Sequence, residues 1–215
     1  MPELSFRVKG AEAVPNAATP AVALQLEVTN RPPTELIEGI LLRCQIQIET
    51  PRHRYTQQEQ QKLADLFGEP ERWGETLRPM LWTNIATVIP TFSGVTAVSL
   101  AVPCTFDLNV TASKYFHGLE GGTVPITLLF SGTVFYKSPA NLLQAAPISW
   151  NSEARFQFPV EVWKQTVDLH YPNTAWLSVR RDVFERLYEF KIRQGVATFD
   201  EALERMIEAA QEVRI

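Results

Sequence analysis

The chain has 215 residues, 45% of them hydrophobic and 20% charged, enough apolar material for one large domain with an appendage. Its net charge of −4 and pI near 5.5 argue against whole-molecule attraction to phosphate backbones or anionic membrane surfaces. The opening stretch MPELSFRVKGAEA lacks the basic start and apolar run of a signal peptide, and no window approaches a membrane-spanning length of apolar residues. A soluble cytoplasmic protein is expected, with Cys44 and Cys104 as reduced thiols.

The first half reads as strands. LSFRV is followed by AVALQLEVTN, in which Val22, Leu24, Leu26 and Val28 alternate with Ala23, Gln25, Glu27 and Thr29. Period two over eight residues marks a half-buried strand, and NRPP ends it because proline cannot donate to a ladder. ILLRCQIQIE alternates likewise, with Leu42, Cys44, Ile46 and Ile48 on the apolar side. Further strand-like runs are LWTNIATVI, GVTAVSLAV, CTFDLNV, VPITLLFSGTVFY and ARFQF. Roughly eight strands divided by Pro, Gly and Asn predict a mostly β fold, either an antiparallel β-sandwich or one strongly curved sheet.

One helix is inserted at YTQQEQQKLADLFG. Thr56 and Glu59 stand at capping-box spacing, Leu63, Leu66 and Phe67 form the apolar stripe, and Gly68 suits the stop. Shorter helices are expected near NVTASKYFHGL and at VEVWKQTVDLH. Strand signals give way to helical ones between 159 and 172, dividing the chain into a β-sandwich at 1–160 and a C-terminal helical segment at 161–215.

The chemistry the sequence offers is sparse. His53, His117 and His170 are far apart, the cysteines form no C-x-x-C, and no glycine stretch has the ending of a phosphate-binding loop. Carboxylates around DLFGEPERWGET are interleaved with Arg72 and Arg78 and read as a solvated loop. No cofactor, metal or catalytic residue is assigned, and a non-enzyme is expected. Two loops suggest protein contact instead. RHRYT holds Arg52, His53 and Arg54, the densest basic spot, suited to an acidic or phosphorylated partner or simply exposed. ERWGETLRPMLW brings Trp73 and Trp82 near Arg72 and Arg78; Trp and Arg are favoured at interface hot spots, although tryptophan also fills cores.

The segment NTAWLSVRRDVFERLYEFKIRQGVATFDEALERMIEAA reads as a short strand, helix, turn and helix. Leu177 and Val179 point one way from the strand; Trp176, Ser178 and Arg180 point the other. Thr198 caps the last helix with Glu201 at the box position, and Phe199, Ala202, Leu203, Met206, Ile207 and Ala210 form its stripe. The order resembles a ribbon-helix-helix unit, which pairs two chains and reads DNA. Yet residues 180–215 carry seven positive against eight negative side chains, the wrong balance for a phosphate-binding face. A docking or dimerising element, or a hairpin folded onto its own sandwich, is expected, with nucleic acid disfavoured as partner.

Taken together, LLRCQIQIE, YTQQEQQKLADLFGEPERWGETLRPMLW, VPCTFDLNVTASKYFHGLEGGTVPITLLFSGTVFY and PNTAWLSV resemble an uncharacterised bacterial family, a domain of unknown function. Its members are encoded in gene clusters of nickel–iron hydrogenases, beside the large and small subunits. The resemblance implies a setting: a protein-binding accessory, assembly or structural protein whose partners are hydrogenase subunits, or a homodimer. The competing readings are a DNA-binding regulator acting through the C-terminal unit and a sandwich that holds a small ligand.

Overall fold

The computed structural model describes residues 2–105, 110–138, 140–175 and 177–212. They form two compact units, Met1–Thr174 and Ala175–Ile215. The first unit is a sandwich of two antiparallel sheets. One sheet runs β1 (Glu3–Ala13), β2 (Ala21–Arg31), β6 (Val95–Pro103), with β2 in the middle. The other runs β4 (Met80–Ile89), β3 (Leu36–Ile48), β7 (Thr123–Lys137), with the short β5 (Phe92–Ser93) on β3. Two further strands, β8 (Leu143–Pro147) and β9 (Glu153–Pro159), both pair with β7. The sheets approach at two margins, β1 beside β9 and β4 beside β6. This is a sandwich and not a single curved sheet.

The alternation read in the sequence is the alternation of the core. Val22, Leu24, Leu26 and Val28 of β2 are fully buried, as are Ile46 and Ile48 of β3, and Cys44 joins them as a small apolar side chain. The ring of Phe6 from one sheet stacks on Phe130 of the other, centroids 4.3 Å apart. Burial holds the Cys44 and Cys104 thiols in their neutral form, each pushed up to about 12.

Helices pack against the sheets and one another. α1 (Gln57–Phe67) has the capping box the sequence predicts: Glu59 N–H donates to the Thr56 hydroxyl at 3.2 Å and Thr56 N–H to the Glu59 carboxylate at 2.9 Å. Gly68 ends it at φ 78°. A single turn, α2 (Trp73–Thr76), leads into β4, and α3 (Val110–Gly118) packs on α1. α4 (Val160–His170), read from sequence as the start of the C-terminal segment, packs on β1 and β2 of the sandwich. Its apolar residues explain this: Val160 and Trp163 are buried, and Trp163 stacks on Phe116 at 5.5 Å. Trp82, Phe116 and Phe158 complete the aromatic cluster. The strand expected at CTFDLNV falls partly outside the described residues; its last residue, Val110, begins α3.

The second unit is a helical hairpin, α5 (Arg181–Gln194) and α6 (Phe199–Glu212), joined through Gly195 at φ 64°. Thr198 caps α6, its hydroxyl accepting from Glu201 N–H at 3.2 Å. The short strand expected ahead of α5 is not formed: Leu177–Arg180 has no ladder. A strand exists only through its pairing, and two alternating apolar residues do not supply a partner. Trp176 lies outside the described residues.

Candidate interaction surfaces

β7 builds the most unusual surface. Residues 123–129 pair with β9 and residues 133–137 with β8, so one strand edge carries two partners in succession. Between them the connecting loop is pinned at both ends: Ile148 N–H donates to Gly132 C=O at 3.0 Å, and Phe130 N–H to Ser152 C=O at 2.9 Å. Inside that clamp, Ser152 N–H donates to Ser149 C=O at 3.1 Å and the Ser149 hydroxyl to the Asn151 side chain at 2.6 Å. The turn so made pushes Trp150 outward, where the residue is 95% exposed. A tryptophan left almost wholly in water has no role in the core.

Trp150 is not isolated. It lines a concavity of about 510 Å³ with Arg43, Asn84, Ala86 and Ser131 on the outer face of the larger sheet. The adjoining register row pairs Leu41 with Val88 on one side and with Thr133 on the other. Leu41, Val88 and Leu143 are exposed and line a second concavity, about 530 Å³, together with Phe135, Glu38 and Lys137. Glu38 and Lys137 form an ion pair at 3.1 Å on its margin. Exposed apolar side chains grouped on one face and rimmed by charge mark a contact surface. Sequence reasoning passed over all four, although a signal was present. Leu41 falls on the side of its strand otherwise taken by Arg43, Gln45 and Gln47, and Trp150 sits among turn residues in PISWNSE.

The basic loop folds into a separate groove. Arg52, His53 and Arg54 line a concavity of about 460 Å³ with Arg155, Thr123, Thr127 and Gln157. Glu49 stands in it as well, accepting from the Thr127 hydroxyl at 2.7 Å and lying 3.8 Å from Arg52. Arg155 is held by Glu153 at 3.0 Å. Much of the positive charge is therefore countered locally. Behind it, Glu59 is buried, its carboxylate 3.7 Å from the His53 ring and 2.9 Å from the Glu120 N–H it accepts. Tyr55 donates to Thr50 C=O at 2.9 Å, and burial pushes its phenol up to about 12.

The second loop gives a different outcome. Trp73 and Trp82 are buried, so neither ring stands on the surface. Trp73 donates its indole N–H to Gly68 C=O at 3.0 Å and meets Tyr55 edge-on at 5.0 Å. Arg78 turns back on its own loop, donating to Glu75 C=O at 2.7 Å and Leu77 C=O at 2.8 Å, while Arg72 is exposed. Packing beside a sheet took the tryptophans that the hot-spot reading had offered to a partner. In the second unit, Leu177 and Val179 are exposed.

Among the described residues no three His, Cys, Asp or Glu side chains gather to hold a metal ion, and no helix is long and apolar enough to cross a membrane. The protein is thus a two-sheet antiparallel β-sandwich carrying helices, with groups of exposed apolar side chains on one sheet face and on a helical hairpin. It belongs to the family of unknown function DUF6084, which matches across residues 1–215. No curated protein matches. Among solved structures, the chain is similar to β-glucosidase 3B from Thermotoga neapolitana in complexes with α-D-glucose, with glycerol and with glucose. Identity is 14% and the TM-score 0.26 in each, covering 73% of this chain and 17% of that one.

Proposed function

We propose that the protein is a non-catalytic accessory that binds another protein through the outer face of its larger sheet. The observation that carries this reading is Trp150, held 95% exposed by a turn clamped at both ends, beside Leu41, Val88 and Leu143. A rigid aromatic that loses little conformational entropy on binding, next to an apolar patch with a charged margin, is the composition of a binding hot spot. Both cysteine thiols are buried and held in neutral form, so neither is an activated nucleophile. The family resemblance makes nickel–iron hydrogenase subunits the partner to test first, with the chain as assembly or structural protein.

The experiment is affinity purification of a tagged chain from its native cells under hydrogenase-expressing conditions, with mass spectrometry of what is retained. Hydrogenase subunits in stoichiometric amount are the expected result. Trp150→Ala and Val88→Asp should each reduce that recovery at least tenfold while leaving stability within about 0.5 kcal/mol, since both side chains stand in solvent. Recovery of the chain without another protein would reject the accessory role. Undiminished recovery with both variants would reject the surface.

A further inference from the structure

The C-terminal hairpin poses a separate problem of burial. Within Ala175–Ile215, only Val196 and Ala202 are buried among the described residues. Phe184, Tyr188 and Ile192 recur every fourth residue along α5 and so form one stripe. On α6, Leu203, Met206 and Ile207 form another. The stripes meet through Phe199, whose ring lies 5.4 Å from Phe184 and 6.3 Å from Tyr188. The result is one continuous apolar face, on which Phe184, Tyr188, Ile192, Met206 and Ile207 are 44–61% exposed. Scaled by ordinary side-chain areas, these five side chains expose roughly 500 Å², a large part of the ~800 Å² that each partner brings to a standard protein interface.

Charge says what covers it. α5 (Arg181–Gln194) carries four basic side chains and three acidic ones; α6 (Phe199–Glu212) carries five acidic and one basic. Two hairpins related by a two-fold axis can set the α5 of each against the α6 of the other. That sets each acidic α6 against the more basic helix of the other copy, twice with a single surface, whereas α6 against α6 would crowd like charges. We propose that the α5–α6 hairpin is the interface of a two-fold homodimer in which α5 of each copy packs across α6 of its partner.

The test uses the full-length chain in sedimentation velocity across roughly 1–100 µM, a span that covers interfaces of this size at the weak end of their affinities. A species of twice 24.3 kDa is expected. Tyr188→Asp together with Ile207→Asp should raise the dimer dissociation constant at least tenfold with the circular dichroism unchanged, and Val88→Asp on the sheet face should leave it alone. Arg186→Glu with Arg193→Glu should weaken the dimer, and adding Glu204→Lys with Glu208→Lys should restore it. A monomer throughout the range, as when the hairpin is covered within its own chain, would overturn the proposal. So would a dimer indifferent to the face substitutions. Loss of the dimer without recovery in the fourfold-reversed chain would overturn the crossed arrangement.

Discussion

Gly132 stands where β7 changes neighbours, and its backbone shows why no other residue fits. Its φ is 138°, and a Cβ built there would lie 1.9 Å from Leu41 C=O. The close approach and the positive φ both demand glycine. Gly132→Ala should therefore cost about 2–4 kcal/mol, measured as a lower urea midpoint with unchanged slope. Gly74 is the control: it lies in α2 with nothing within 4 Å of its missing Cβ, so Gly74→Ala should be neutral or stabilise by up to about 1 kcal/mol. At this scale the sequence was least legible. FSGTVF reads as an uninterrupted strand, and only the partner carbonyl distinguishes its glycine from an ordinary one.

At the scale of elements, patterns carried by a segment itself were readable and patterns supplied by a neighbour were not. The α1 capping box was visible as Thr56 and Glu59 because both partners lie within one turn. β8 escaped because Leu143–Pro147 has no apolar alternation; it is a strand by virtue of β7. The strand anticipated at Leu177–Arg180 failed for the converse reason, an alternation without a neighbour. Glu59 also does more than the box requires: its second oxygen accepts from Glu120 N–H, tying α1 to the chain after α3. Thr56→Ala should accordingly cost about 1 kcal/mol, the ordinary value of a lost cap. Glu59→Ala should cost more, about 2–4 kcal/mol, because the Thr56 and Glu120 amides both lose their acceptor at a buried site. Equal losses in urea denaturation would mean that the link to Glu120 contributes nothing.

For the whole molecule, period-two patterning in β2 and β3 marked a mostly β core but left a sandwich and one curved sheet both open, and the faces left for partners depended on residues that break that pattern. The same core fixes the response to base. Cys44 and Cys104 sit at about 12 when folded against 9.0 when not, and Tyr55 at about 12 against 10.0. The folded state thus keeps protons that the unfolded chain gives up. Stability is full below about pH 9, falls as pH rises from there, and has lost these contributions above about pH 12. A urea midpoint measured from pH 7 to 11 should be flat at first and then decline; constancy to pH 11 would show that these groups do not control it. The clamp on β7 has a last consequence, for variation in this chain. Ladder bonds seat β8 and β9 independently on either side of residues 149–152, so neither relies on the turn between them for its register. That turn can be lengthened, exchanged or grafted with a foreign peptide while the scaffold stays in register, making it the site where a new specificity is introduced at least cost to folding.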